Sequence, residues 1–424
     1  MTHATNPAPA GSQPDRAASA AAPLSAVLAI TFVSSIGTGV VTNGVFFLTK
    51  SGFGFSDLAN YWLALVMGVT YIVAARFSHA AVEFFNRRGL STRGVLAWTL
   101  VLMGVFSALP LVATRLGPSA SWLVWAMVVV YSPLTGIVWP VVESFLSGGR
   151  QGEGLRKAAG IWNATWSGAI IVSYFGMSRY VKESPAQVVL ILGAMHVVTA
   201  PIVVWLLPRE PGAHAPEHHE PHPSIYTTLL TTFRTLLPIG YIMLSALSPY
   251  LPGAMERMGV GPAAAVQLAA SWLVARAITF WLMGRAASWH GKWWPAVVGA
   301  ALVFAGFGVT VVTPGFFAGT TGVAIQVAGL VVFGIGMAIV YSGAVYYALE
   351  VGRAEVEAGG THESLVGVGY TIGPLCPLLA ELARQKGILA AGRFEVAVFG
   401  AVGVVSLVMA AVVVRQIMRH TSGR

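Results

Sequence analysis

Polar residues interrupt this chain seldom, and they cut it into apolar runs of similar length. The runs cover residues 24–48, 58–80, 94–113, 121–147, 157–177 and 186–207, and then 225–252, 263–284, 294–313, 321–350, 363–383 and 394–417. About 20 apolar residues in a helix cross the hydrocarbon core of a bilayer, so each run predicts one spanning helix. The fold class expected is all-α integral membrane, with twelve transmembrane helices in two six-helix pseudo-repeat bundles. The fourth and tenth runs are long enough to protrude from the membrane. Residues 1–22 are rich in Ala, Pro, Ser and Thr, with no basic stretch before the first apolar run. They predict a disordered cytoplasmic tail and not a signal peptide. The expected layout is then a bundle over 23–207, a His- and Pro-rich cytoplasmic linker over 208–224, a second bundle over 225–418, and a short cytoplasmic tail over 419–424.

The halves share a register. Residues 135–143 read Thr-Gly-Ile-Val-Trp-Pro-Val-Val-Glu, and a gapless shift of 207 residues gives Ser-Gly-Ala-Val-Tyr-Tyr-Ala-Leu-Glu at 342–350. Gly136 falls on Gly343, Trp139 on Tyr346, Glu143 on Glu350 and, further along, Gly160 on Gly367. Repetition at a fixed spacing marks a duplicated architecture.

Composition supports a lipid-facing surface. Hydrophobic residues make up 56% of the 424 and charged residues only 10%, with mean hydropathy +0.72, where a soluble domain carries roughly a quarter charged. The net charge of +9 is scattered between the apolar runs, which excludes a nucleic-acid partner. Lys and Arg bias orients the chain. With the N-terminus inside, fourteen fall in cytoplasmic segments, eight in outer loops, and Arg76, Arg234 and Arg276 within spans. Both termini are expected on the cytoplasmic side of a cell (inner) membrane. The single Cys376 rules out an internal disulfide.

A family likeness rests on short motifs. The loop after the eighth run reads Gly284-Arg-Ala-Ala-Ser288-Trp-His-Gly291-Lys292, which resembles the signature loop of the major facilitator superfamily with Ser288 in place of its Asp. The loop after the second run fits more loosely through Glu83, Arg87 and Arg88, with the glycines lost. Ser-Pro-Tyr-Leu-Pro at 248–252 is similar as well. The resemblance implies two parallel six-helix halves with a solute site near the midplane between them, working as a monomer with no cofactor. The spacing of Glu143 and Arg150 resembles the sugar-porter branch. There the acids at the inner ends of helices 4 and 10 pair with loop arginines. It implies a gate built from Glu83, Arg87, Arg88, Glu143, Arg150, Arg285 and Glu350. The arginine usual in span 4 and the Gly-Pro signature of drug–proton antiporters in span 5 are both absent.

Candidate solute contacts are residues too polar for their depth. An intramembrane arginine is costly unless it faces a cavity or a partner, which singles out Arg234 and Arg276. Their repeat counterparts are Ala29 and Tyr71. Asn43, Trp139, Asn163, Trp166, Tyr346 and Tyr370 add amide and aromatic surface suited to a polar organic solute, although such aromatics more often pack between helices. Asn163 and Trp166 lie three apart and should face each other on neighbouring turns; Gln326 is a weaker candidate. Gly334 and Gly336 should allow close helix approach. Glu381 is the coupling candidate, against a plain outer-end pair with Arg384 or Arg179. In the linker, His214, His218, His219 and His222 with Glu217 and Glu220 offer metal-type ligands. Nothing holds them in place, so a solvated hinge is the favoured reading and no metal site is assigned.

Enzyme signatures are missing: there is no phosphate-binding Gly-rich loop, zinc-protease helix or nucleophile elbow. The expectation is a non-enzymatic secondary transporter, a symporter moving a sugar-like or organic-anion solute by alternating access, with protons as the coupling ion considered first. A second reading, favoured by the degenerate loops, is a transporter-derived sensor or assembly protein that moves nothing.

Overall fold

The computed structural model describes residues 21–150, 152–212, 223–351 and 356–422. The linker histidines and their two glutamates lie outside the described residues, as do Arg353, residues 1–20 and residues 423–424. Eleven helices are long and apolar enough to cross a membrane. The twelfth, Gly152–Ser178, is 27 residues long and richer in polar residues. The spans are Leu24–Ser51, Asp57–Arg76, Thr92–Leu116, Pro118–Ser147 and Gly152–Ser178 as spans 1–5. Pro185–Leu206, Ser224–Arg257, Pro262–Arg285 and Trp294–Phe316 are spans 6–9. Gly319–Val351, Val356–Gln385 and Phe394–Ser422 are spans 10–12.

Local chemistry explains the breaks. Ser56 and Ser91 cap spans 2 and 3, their hydroxyls accepting from the backbone N–H of Ala59 and Gly94 at 3.1 and 3.2 Å, the preferred role of serine at a helix start. The run read as 58–80 divides into span 2 and a separate short helix, Ser78–Asn86. Span 11 begins at Val356, seven residues before the apolar run suggests, because its first two turns carry Glu357, His362 and Glu363. Span 1 contains a π-helical turn at Gly39–Gly44; such turns insert an extra residue and recur at functional sites. Prolines sit inside spans 4, 7 and 11, where neighbouring helices satisfy the freed carbonyls.

The two halves meet along spans 2 and 11 and along spans 5 and 8. Glycines set those distances. A Cβ on Gly68 would lie 2.1 Å from the Tyr370 carbonyl oxygen, and one on Gly160 only 2.4 Å from Gly284 Cα. Within the second half, Gly334 and Gly336 meet the backbones of Trp272 and Val303 in the same way.

Contacts cross between halves at both ends. At the end bearing residues 50–57 and 256–262, Lys50 pairs with Asp57 at 2.9 Å and with Glu256 at 3.2 Å, and Arg257 reaches Asp57 at 3.6 Å and Glu395 at 3.4 Å. At the other, more basic end, Arg156 donates to the Gly284 carbonyl at 3.2 Å, and the Gly152 N–H donates to Glu350 Oε2 at 2.9 Å.

Candidate functional site

Between these closures lies a cavity walled by spans 1, 2, 4 and 5 from one half and 7, 8, 10 and 11 from the other. Its surface is mainly apolar and rich in aromatic rings, with Trp139, Trp162, Trp166, Trp272, Tyr241, Tyr341 and Tyr370 among the lining residues. The π-helical turn of span 1 brings Thr42 and Asn43 onto the same wall, the Asn43 amide donating to Thr42 Oγ1 at 2.9 Å. Large apolar walls with a few placed polar groups are the usual make-up of a small-molecule site.

Arg276 of span 8 is the one fully buried cation on that wall. It is 1% exposed and makes no ion pair among the described residues. Its guanidinium carbon lies 4.4 Å from the centroid of Trp166, 5.1 Å from those of Phe280 and Tyr341, and 5.4 Å from that of Trp272. Nη2 donates to the Tyr241 hydroxyl at 3.3 Å, while Nε has no hydrogen-bond partner. Ring faces stabilise a desolvated cation by roughly 2 kcal/mol or more each when well aligned. They do not use the in-plane N–H donors, which stay available to an acceptor.

Toward the basic end, the wall carries an acid. Glu363 of span 11 lines the cavity, is 4% exposed, and accepts a hydrogen bond from the Tyr71 hydroxyl of span 2. Glu143 of span 4, 2% exposed, has a carboxyl oxygen within 4.8 Å of one of Glu363. His362 completes the group: ligand atoms of Glu143, His362 and Glu363 all lie within 4.8 Å of one another. Among the described residues neither ring nitrogen of His362 has a hydrogen-bond partner, nor has Glu143 Oε1.

The residues singled out from sequence separate into three groups. Asn43, Trp139, Trp166, Arg276 and Tyr370 are on the cavity wall. Asn163 and Tyr346 line a smaller cavity nearer the basic end, with Arg156 and Trp289. Trp166 Nε1 does donate to Asn163 Oδ1, at 3.1 Å. Beside that smaller cavity, the His290 ring stacks on Tyr346, with centroids 4.2 Å apart. Burial and the nearby Arg156 push its imidazole down to about 4. Arg234 and Gln326 are on neither wall. Arg234 is half-buried, and Gln326 donates to the Thr310 carbonyl at 3.3 Å.

The expected gate is not assembled as drawn. Among the described residues Glu143 pairs with no arginine. Arg150 instead donates to the Phe145 and Leu146 carbonyls at the end of span 4 and to the Ala22 carbonyl just before span 1. Glu83 pairs with Arg87 at 3.0 Å on an exposed short helix, Arg88 stacks on Phe84, and Arg285 stacks on Trp281 of its own span. Of that set, Glu350 reaches the other half through the Gly152 N–H, and Glu143 reaches it through Glu363. Glu381 is held by Arg384 at 2.6 Å and by Gln385 at 3.0 Å, away from the cavity. Glu363 and His362 were missed because they sat at the edge of an apolar run; a helix start moved back to Val356 puts them about two turns inside.

No family model matches the chain, and no curated protein matches it by sequence. Solved structures do. A mutant of the nucleoside transporter NupG aligns over 92% of this chain and 99% of its own, at TM-score 0.61 and 13% identity. The human organic anion transporter MFSD10 aligns over 91% and 99%, at TM-score 0.60 and 14% identity. The E. coli fucose:proton symporter FucP, also as a mutant, aligns over 91% and 98%, at TM-score 0.54 and 14% identity. At these identities the likeness is one of fold.

Proposed function

We propose that this chain, which has the fold of major facilitator superfamily transporters, moves a small organic anion with a flat apolar body across a membrane by alternating access. The observation that carries the reading is Arg276, buried on the cavity wall with rings around it and no carboxylate of its own. An arginine at that depth costs several kcal/mol unless something compensates it. Rings meet part of the cost, and an anionic solute entering the cavity would meet the rest through the free edge of the guanidinium. The aromatic lining favours stacking against a planar body. The solute's hydroxyl or carbonyl groups would find Asn43, Thr42 and the tyrosine hydroxyls.

Transport, as opposed to static binding, is supported by the placement of the cavity between two halves that touch at both ends. Breaking one set of contacts while keeping the other opens the cavity to one side. The structural neighbours are transporters of nucleosides, organic anions and fucose, which agrees with a small organic solute and leaves the anion choice to Arg276.

The test is uptake into proteoliposomes of radiolabelled aromatic and aliphatic carboxylates, nucleosides and neutral sugars. Aromatic carboxylates should be taken up best. A charged hydrogen bond contributes roughly 1.5–3 kcal/mol, so Arg276→Ala should weaken apparent affinity by roughly 10- to 150-fold, with Arg276→Lys in between. Preference for neutral sugars, or anion uptake indifferent to Arg276→Ala, overturns the anion assignment. Tight binding with no movement of any solute would favour the sensor reading.

A further inference from the structure

We propose that Glu143 and Glu363 form a cation-dependent clasp between the two halves, holding one shared proton, with His362 as its acceptor and donor. The proposal rests on the transport reading and names its coupling ion and the residues that bind it.

The geometry requires a cation. Glu143 belongs to span 4 and Glu363 to span 11, so the pair spans the junction of the halves. Both are at least 96% buried, and two carboxylates in contact away from water cannot both remain ionised. Carboxyl oxygens of the two lie within 4.8 Å of each other, close enough for a single proton to be shared between them. Tyr71 donates a hydrogen bond to Glu363 and fixes which oxygens face Glu143. Packing leaves no slack: a Cβ on Gly359 would lie 2.8 Å from Glu143 Oε2 and 2.9 Å from Pro140 Cα.

The charged and titratable surroundings are few. Span 2 contributes Tyr71, span 7 Tyr241 and Arg234, span 8 Arg276, span 10 Tyr341, and span 11 His362 and Tyr370. Arg234 is near enough to act on His362, and neither Arg234 nor Arg276 forms an ion pair with the cluster among the described residues. An imidazolium in contact with two carboxyl groups would donate to one of them, whereas both His362 nitrogens lack a partner among the described residues. A neutral His362 beside the acids is therefore placed to take the proton as the clasp opens and return it as it closes.

The step balances simply. With the halves closed, one carboxylic acid donates to the other carboxylate, and the pair carries a single negative charge. When spans 4 and 11 separate, both carboxyl groups meet water, and the acid passes its proton to water through the His362 ring. Closing reverses this. One proton is bound and released per cycle, so a singly charged anion moving with it would make the cycle electroneutral.

Infrared spectroscopy of the purified full-length protein near neutral pH tests this without any solute. The carbonyl stretch of a neutral carboxylic acid should be present in the wild type. It should be absent in Glu143→Gln, where the amide donates to Glu363 and no proton is needed. In proteoliposomes, Glu143→Gln should lose solute-driven proton movement at least tenfold while still binding solute, and His362→Gln should slow that movement and leave the infrared band in place. The proposal is overturned if the wild type lacks the band, if elemental analysis finds one divalent metal per chain held by the same three residues, or if Glu143→Gln moves protons as the wild type does. Because the band is read without solute, its presence with no uptake of any anion would sink the solute assignment and not the clasp.

Discussion

Glu143 in span 4 and Glu350 in span 10 hold the same place in two copies of one repeat, yet they meet opposite surroundings. Glu143 is buried against another carboxyl, Glu363. Glu350 is only partly buried, and its Oε2 accepts from the Gly152 N–H at the start of span 5, where the helix dipole welcomes an anion. Both contacts join one half to the other. The difference lies in what the facing helix supplies. At the 207-residue shift, Glu363 of span 11 corresponds to Arg156 of span 5, so the facing helices carry opposite charges at equivalent positions. One contact then needs a bound cation and the other needs none. Pseudo-symmetry repeats the backbone frame, and the departures from it hold the chemistry.

If the halves move as rigid bodies, the two contacts open together. Gly160→Val is the strongest way to test that. Its side chain would overlap the Gly284 backbone and part spans 5 and 8, drawing Gly152 away from Glu350. Ser342→Cys, buried beside the smaller cavity, would report it, since the native Cys376 is buried. Labelling by a membrane-impermeant maleimide should rise at least tenfold in the Gly160→Val background. Unchanged labelling would mean that the helices separate locally and the halves do not move as units. Next in size is Glu363→Ala. It removes the partner of a buried Glu143 and leaves its polar atoms unsatisfied, at a cost of roughly 1–3 kcal/mol. The unfolding midpoint in detergent should fall accordingly, while Glu363→Gln, which keeps a hydrogen bond, should stay close to the wild type. Equal losses for both would show that the carboxyl pairing does not stabilise this end.

The contrast also explains what could be read from the chain alone. The twelve-helix, two-half fold was legible because lipid imposes one run length on every span, and the repeat added a register. Arg276 was legible because a charge in an apolar run has few explanations. Its aromatic box was not, since Trp166, Trp272, Phe280 and Tyr341 come from three spans whose rotation hydropathy does not set. Glu143 and Glu350 looked equivalent, and each was assigned an arginine that the structure places elsewhere. A repeat predicts where a side chain starts and not what it meets. Glu363 was hidden by the polar start of span 11, where His362 and Glu363 read as the edge of a loop.

Smaller effects separate the two contacts further. Glu350→Ala should cost only about 0.3–1 kcal/mol, the usual value of a carboxylate at a helix N-terminus, and should raise Ser342→Cys labelling by no more than about fivefold. A separate pH dependence at the same end comes from His290. Its imidazole sits at about 4, lowered first by burial and then by Arg156, against an unfolded value near 6.5. Between those values the opened segment binds more protons than the closed one, so closure is favoured above about pH 6.5 and weakens as pH falls toward 4. Hydrogen exchange in residues 284–293 should therefore speed up over that window in the wild type and stay flat in His290→Gln. If the acceleration persists in His290→Gln, the proton is taken up elsewhere, and the separation of a proton-dependent clasp at Glu143 from a proton-free contact at Glu350 would have to be redrawn.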